Sequence, residues 1–285
     1  MFRSLIFVPG NNARFVEKAK MLHADIVCFD LEDSVPASEK DSARRIVAEA
    51  VSSRKEYSAD QVYVRTNSAE SGLVSDDLRS AVRKGIEGIV VPKVNDPNEI
   101  ADIIKQVSVL EQERGAEISV MPSIESAKGV ANAYVIAGAD DRINALVFGV
   151  FDFLYDMRLD YDERDQTSYA FARAKIPIDA RAAGVESVDA IWQRIDDVDG
   201  LVRDATTAKR LGYSGKSLIH PSQIDPVHGI FRPSKNEVEW ARKVVHALGH
   251  AMERGSGRGA VRLEGKMIDG VHYKQAKAIL DAADK

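Results

Sequence analysis

The sequence is nearly without cysteine: Cys28 is the single one among 285 residues. That excludes a disulfide framework and a thiolate metal site. Cys28 itself, inside the apolar run "IVCFD", reads as a small buried core residue. Positive charge is also in short supply. With 39 Lys and Arg against 44 Asp and Glu, the net charge is −5, and a pI near 5.8 argues against nucleic acid or an anionic membrane as the main partner. A local basic patch could still hold a phosphorylated cofactor. No apolar run reaches the roughly 18 residues of a membrane span, and "MFRSLIFVPG" is interrupted too early by proline and glycine for a signal peptide, so a cytoplasmic protein is expected. There is no G-x-G-x-x-G, no phosphate-binding loop with a lysine, no G-x-S-x-G, no internal repeat and no low-complexity tract. His246 and His250 stand four apart but lack the intervening glutamate of a metalloprotease helix, so they do not read as a metal site.

What is present is alternation. Apolar, β-branched runs predict strands over Ser4–Val8, Ile26–Leu31, Val62–Arg65, Gly88–Pro92, Ile118–Ile124, Ala145–Gly149, Val185–Ile191 and Gly215–Ile219. Helical patterns such as "SEKDSARRIVAEAV", "PNEIADIIKQVSVLEQERG" and "DGLVRDATTAKRLG" lie between them, the last two opening at Asp/Pro signals and closing at glycine. Eight such units point to a closed (β/α)8 barrel over residues 1–233, with an open doubly wound sheet as the alternative. Residues 234–285 are surplus to it. They comprise an amphipathic helix, the glycine-rich "GSGRGA", and a short helix whose Ala276, Ile279 and Leu280 need a covering surface, as in a lid or an arm onto a neighbouring subunit.

The unusual polar residues recur where strands end, the rim at which barrels of this type carry their chemistry. Strand one ends in "PGNN", strand two in Asp30, Glu32 and Asp33, strand three in Arg65, Asn67 and Ser68, and strand four in Pro92-Lys93. Strand five ends in Ser123, Glu125 and Ser126, strand six in Asp152, strand seven near Asp189, and strand eight in His220-Pro221. Glu125 and Asp152 follow adjacent strands and would aim two carboxylates into one mouth, a donor set that suits Mg2+. Asp30 and Glu32 would support that site by accepting hydrogen bonds from metal-bound water and from Arg65. Arg65 could grip a substrate carboxylate in two-pronged fashion, pair with Asp30 or Glu32, or do both. Arg14 and Lys18, one helical turn apart in "PGNNARFVEKAK", suit either a phosphate-bearing handle or an ordinary solvated face.

These motifs together resemble the citrate lyase β-subunit-like family of acyl-CoA lyases, within the HpcH/HpaI aldolase superfamily. "RSLIFVPGNN", "FDLEDSV", "YVRTNS", "VVPKV", "PSIESAKGV", "GKSLIHPSQI" and "GKMIDGVHYKQAKAIL" occur in the family's order over nearly the whole chain. The resemblance implies a (β/α)8 barrel, Mg2+ as cofactor, and reversible cleavage of a 3-hydroxyacyl thioester into an acetyl-type thioester and a 2-oxo acid. By motif it makes Glu125 and Asp152 the metal ligands and Arg65 the substrate-binding arginine. Phe7, Arg14, Lys18, Ile219 and His220 become contacts to coenzyme A. Asp269 in "KMID" becomes an acid/base that the family supplies from the C-terminal segment of a neighbouring subunit, and this implies a homotrimer or homohexamer.

One stretch departs from the pattern. Where the family has glycine, a small residue, an acidic or amide residue and aspartate, this chain has "FGVFDF", with Phe151 and Phe153 flanking Asp152. The aromatic makes the pocket less hospitable to an extra carboxylate and favours malyl-CoA or citramalyl-CoA over citrate. Malate-synthase or thioesterase side activity fits the same residues. The alternatives are the β subunit of a citrate lyase, acting on citryl-acyl-carrier-protein, and a non-catalytic protein that only binds a CoA thioester.

Overall fold

The structure, a computed structural model, describes residues 2–253 and 260–283. Eight strands, β1 Ser4–Pro9, β2 Ile26–Asp30, β3 Gln61–Arg65, β4 Gly88–Val91, β5 Ser119–Ile124, β6 Ala145–Phe148, β7 Glu186–Asp189 and β8 Gly215–Leu218, pair in chain order. Every pairing is parallel, and β8 returns to β1 through Leu5 opposite Ser217, so the sheet closes. The expected barrel is therefore observed, with every strand end but one within a single residue of the sequence reading. β7 is the exception: it is four residues long, with Ala190 and Ile191 already beyond it.

Helices α1 Ala13–Lys18, α2 Lys40–Ser52, α3 Val74–Ala81, α4 Pro97–Arg114, α5 Ala127–Ala137, α6 Val150–Met157, α7 Ala170–Ala183, α8 Val198–Leu211 and α9 Ile224–Phe231 follow the strands. Their limits obey local chemistry. In α4, Asp96 accepts from the Asn98 N–H, Pro97 fills the first turn where its missing donor is harmless, and Gly115 leaves the helix at φ +63°. Inside the barrel, Leu5, Ile26, Cys28, Tyr63, Val90, Met121, Val147 and Val188 form one apolar cluster. Cys28 is fully buried there, and burial pushes its thiol well above the usual range, so it is an inert core residue as expected.

The chain divides into two compact units, Met1–His228 and Gly229–Lys285. Within the second, α10 Lys235–Glu253 packs with the antiparallel hairpin β9 Ala260–Leu263 and β10 Lys266–Asp269, and with α11 Gly270–Ala283. Glu264 and Gly265 both have positive φ, the geometry that lets a two-residue turn match the twist of its strands. Ala276 is buried beside Ala241, Val244, Leu248 and Ile268, with Ile279 and Leu280 packed against them, so the stripe of α11 is covered from within the unit. The glycine-rich link, apart from Ala260, lies outside the described residues. Among the described residues no helix is long and apolar enough to cross a membrane.

Candidate active site

Parallel pairing sets Pro9, Asp30 and Arg65 side by side at the ends of β1, β2 and β3. Arg65 therefore meets Asp30 directly: Nε donates to Oδ1 and Nη2 to Oδ2, both at 2.7 Å, in the two-pronged geometry that a guanidinium and a carboxylate share. Nη1 lies 3.2 Å from Glu32 Oε2, and the guanidinium sits 4.6 Å above the Phe7 ring. Burial works against the arginine's charge, but Asp30, then Glu32 and Glu125, outweigh it and raise its pKa. Asp30 is almost fully buried. Burial pushes its carboxyl up, but Arg65 and the N–H groups of Ser34 and Glu32 pull it below the usual range.

Lys93 follows β4 at φ +57°, a backbone region that a side chain makes unfavourable. Its ammonium gathers acids from different loops: Glu32 Oε1 at 2.8 Å, both Asp33 oxygens at 3.3 Å and Asp152 Oδ1 at 3.5 Å. Five carboxylates, Asp30, Glu32, Asp33, Glu125 and Asp152, thus face three cations: Arg65 and Lys93 among their side chains, and Lys40, whose Nζ donates to the Leu31 and Glu32 carbonyls.

The shortfall of positive charge falls on Glu125. Its side chain lies across the end of β6 against Gly149, where a Cβ would come within 2.5 Å of Glu125 Cγ, so only glycine permits this placement. Burial first, then the neighbouring charges of Glu32 and Asp152, push its carboxyl up to about 8. Glu125 Oε2 is buried and finds no hydrogen-bond partner. Among the described residues no group of three or more His, Cys, Asp or Glu side chains has the spacing of an all-protein metal cage. Two oxygen donors, one of them orphaned amid excess negative charge, instead fit a hard divalent cation that keeps most of its ligands from water or substrate. Glu125 and the 40 % exposed Asp152 would hold it.

These groups line a cavity of ≈ 430 Å³ whose other walls include Phe7, Val147, Phe148, Phe151, Ile191, Ser217 and Ile219. A second cavity of ≈ 310 Å³ adjoins it through Phe7, Pro9 and Ile219, and is lined by Phe15, Lys18, Leu22, His220 and Pro221. Of the residues expected to touch coenzyme A, four therefore line these cavities, whereas Arg14 is exposed and lines neither. His220 accepts from the Ser222 N–H and so caps the turn into α9. Phe151 lines the acid-bearing cavity and packs on Tyr161, but Phe153 points into the core against Phe148, so one aromatic shapes the pocket rather than two.

Other rim residues have structural work. Asn67 bonds Asp77 and the Leu31 carbonyl, and Ser126 caps α5 through the Gly129 N–H. Asp189 is fully buried in a separate ion cluster and does not line the cavity. Phe15, Val147, Ile191 and Ser217 are cavity residues that the sequence did not single out. Phe15 alone carried a signal, as a large apolar residue one helical turn before Lys18. Asp269 belongs to the second unit: it ends β10, its Oδ1 accepts from the Val271 N–H at the start of α11, and it lies 2.7 Å from His272 Nδ1. The hydrogen bonds from His272 lower its pKa.

Comparison with known proteins gives the family. Residues 3–221 match the family model HpcH/HpaI aldolase/citrate lyase. The chain is 36 % identical to the citrate lyase subunit beta of Escherichia coli K12, over 99 % of this chain and 93 % of that one. It is 30 % identical to the mitochondrial citramalyl-CoA lyase of Rattus norvegicus, over 99 % and 86 %. Among solved structures, the CitE protein of Mycobacterium tuberculosis in complex with magnesium, acetoacetate and coenzyme A superposes with a TM-score of 0.79 at 25 % identity, covering 100 % of this chain and 98 % of that one. The chain belongs to the HpcH/HpaI aldolase/citrate lyase family and is a carbon–carbon lyase.

Proposed function

We propose that this protein is a magnesium-dependent lyase that cleaves a 3-hydroxyacyl-CoA thioester of the citramalyl or malyl type to acetyl-CoA and pyruvate or glyoxylate. The observation that carries the reading is the pair of adjoining cavities. One is rich in carboxylates and short of a cation, and the other is apolar with Lys18 and His220 at its edge. A ligand with a compact acidic end and a long thioester arm matches both, and the magnesium, acetoacetate and coenzyme A of the solved relative are of that kind. When bound, magnesium supplies Lewis acidity toward the oxygens of the acid half. Arg65, fixed by Asp30 and Glu32, presents a permanent positive charge to the thioester enolate left when the carbon–carbon bond breaks. Phe7, Lys18, Ile219 and His220 hold the coenzyme A portion, with Arg14 at its outer end. Asp269, from the C-terminal unit of a neighbouring subunit, takes up the proton that the 3-hydroxyl loses as the carbon–carbon bond breaks and passes it to the α-carbon of the enolate, which makes the enzyme an oligomer, a homotrimer or homohexamer.

The 36 % identity to citrate lyase subunit beta favours a second reading, a citrate lyase subunit acting on citryl-acyl-carrier-protein. An assay of 2-oxo acid release separates the two. Chelator-sensitive pyruvate or glyoxylate from free citramalyl-CoA or malyl-CoA establishes the first. Release from citryl carrier protein alone establishes the second. An active monomer would refute the role of Asp269 across subunits.

A further inference from the structure

Two side chains lining the acid-bearing cavity are buried with a polar atom that finds no partner in the protein: Glu125, through Oε2, and Ser217, through Oγ. Glu125 is accounted for by the cation its surroundings require. Ser217 is not, and no hydrogen bond among the described residues uses its hydroxyl. It lies in β8 opposite Leu5, is 2 % exposed, and shares the cavity wall with Val147, Ile191 and Ile219, none of which offers a side-chain acceptor. A buried hydroxyl left unpaired is destabilising relative to one that is satisfied. The closed strand order places β7 and β8 across the barrel from β3 and β4, so Ser217 and Ile191 face the side that carries Arg65. Lying within β8, two residues before Ile219, which follows that strand, Ser217 also lies deeper in the mouth than the residue shared with the second cavity. A ligand whose thioester arm leaves past Ile219 therefore brings its acid half, not its arm, to Ser217.

We infer that Ser217 is a binding residue for the acid half of the substrate, its Oγ–H donating to the carboxylate of the 2-oxo acid. This rests on the function proposed above and adds a group that recognises the acid half independently of the metal. The test is calorimetric binding of pyruvate and glyoxylate, with saturating Mg2+, to the full-length protein and to Ser217→Ala and Ser217→Thr, with free coenzyme A titrated as a control. Loss of one hydrogen bond to a charged acceptor corresponds to about a tenfold weaker affinity for the 2-oxo acid in Ser217→Ala. Ser217→Thr keeps the donor and the affinity, and coenzyme A binds all three alike. The melting temperature of Ser217→Ala holds or rises, since the hydroxyl has no partner in the protein to lose. Equal 2-oxo acid affinity in wild type and Ser217→Ala overturns the inference and assigns the hydroxyl to solvent. A lower melting temperature with unchanged affinity also overturns it, by showing a structural role. If the wild type binds neither pyruvate nor glyoxylate, the inference falls together with the functional reading beneath it.

Discussion

Two of the barrel's clusters of buried charge are built on opposite principles. Between β7, β8, α7 and α8, Asp189 and Asp204 meet Arg173 and Lys216, two acids and two cations. Arg173 donates to both Asp189 oxygens at 2.9 and 2.6 Å and lies 2.9 Å from Asp204. Lys216 donates to Asp189 at 2.7 Å and to the Ala190 carbonyl at 2.6 Å, and it also pairs with Asp204. Gln166 closes the ring by donating to Asp204 and accepting from Arg173. None of these charged groups has an orphaned atom. At the rim five acids face three cations, Arg65, Lys93 and Lys40, with Glu125 Oε2 and Glu32 Oε2 both lacking a hydrogen bond. Charge that is matched and saturated holds two strands and two helices together; charge left unmatched in a cavity marks where a cation and a ligand belong.

Breaking the balanced cluster should have the largest effect. Lys216→Met leaves Asp189 and Asp204 with Arg173 alone in a region closed to water, and removal of one partner from such a group costs about 3 to 5 kcal/mol. Lys93→Met removes a cation of similar connectivity but one third exposed, and should cost about 1 kcal/mol or less. Denaturant midpoints of the two variants provide the check; equal losses would mean that the two clusters do not differ in kind.

The rim shows the reverse pattern, in which removing charge harms chemistry rather than folding. Glu125→Gln takes away a buried carboxylate pressed by Glu32 and Asp152, so the melting temperature should hold or rise. It also deletes a candidate metal ligand, and kcat/KM for thioester cleavage should fall about a thousandfold, the size expected when several kcal/mol of Lewis-acid stabilisation is lost. A variant that melts earlier yet turns over normally would make Glu125 a structural residue.

The same contrast explains what was legible in the sequence. Strand positions were, because runs such as "AEISVMPSI" are apolar and β-branched and end in turn chemistry. So was the place of Arg65, Glu125 and Asp152 at the cavity, because charge at or soon after the end of a buried strand has few structural explanations. The pairing of Arg65 with Asp30 was legible only as one of two options, since it depends on the register of β2 against β3, which no local pattern encodes. Asp189 was misplaced at the rim for a related reason: a carboxylate ending a strand looks alike whether a rim or a buried cation receives it, and its partners Arg173 and Lys216 come from α7 and β8. Ser217 and Ile191 gave no signal, because their role comes from facing a cavity. The surplus of chain after the eighth strand suggested a division at 233/234, whereas the compact units part at 228/229, and α11 is covered by α10 within its own unit.

Gly149 tests how closely the rim is fitted. It is the residue on which Glu125 rests, and Gly149→Ala would place a methyl 2.5 Å from Glu125 Cγ. The backbone there is extended at φ −107°, so the substitution is resisted by that contact and not by the main chain. Overpacking should cost about 1 to 3 kcal/mol of stability. Displacement of the carboxylate should weaken magnesium binding about 10- to 100-fold, as disturbance of the groups around a metal site does. Manganese binding followed by paramagnetic resonance reads the affinity directly. An unchanged affinity would show that Glu125 has room to move and is not pinned for a ligand.

The smallest effect sharpens the comparison without mutation. Because burial and like charge hold Glu125 at about 8, the metal-free protein keeps a proton there at pH 7 that the unfolded chain, with its ordinary carboxylate, has released. The folded state binds the extra proton, so this group's contribution to metal-free stability declines as pH rises from the ordinary carboxylate range to about 8. Magnesium requires the carboxylate form and should expel that proton, close to one per ion at pH 7. Affinity should accordingly rise about fivefold between pH 7 and pH 8 and level off above, following the deprotonated fraction of a group with that pKa. Calorimetric titrations in buffers of different ionisation enthalpy count the protons. Asp204, which burial pushes up but Lys216 and Arg173 hold below the usual carboxylate range, should contribute none. A proton count near zero at pH 7 would therefore mean that the excess of acid at the rim is neutralised before any metal arrives, and that the two clusters are balanced alike.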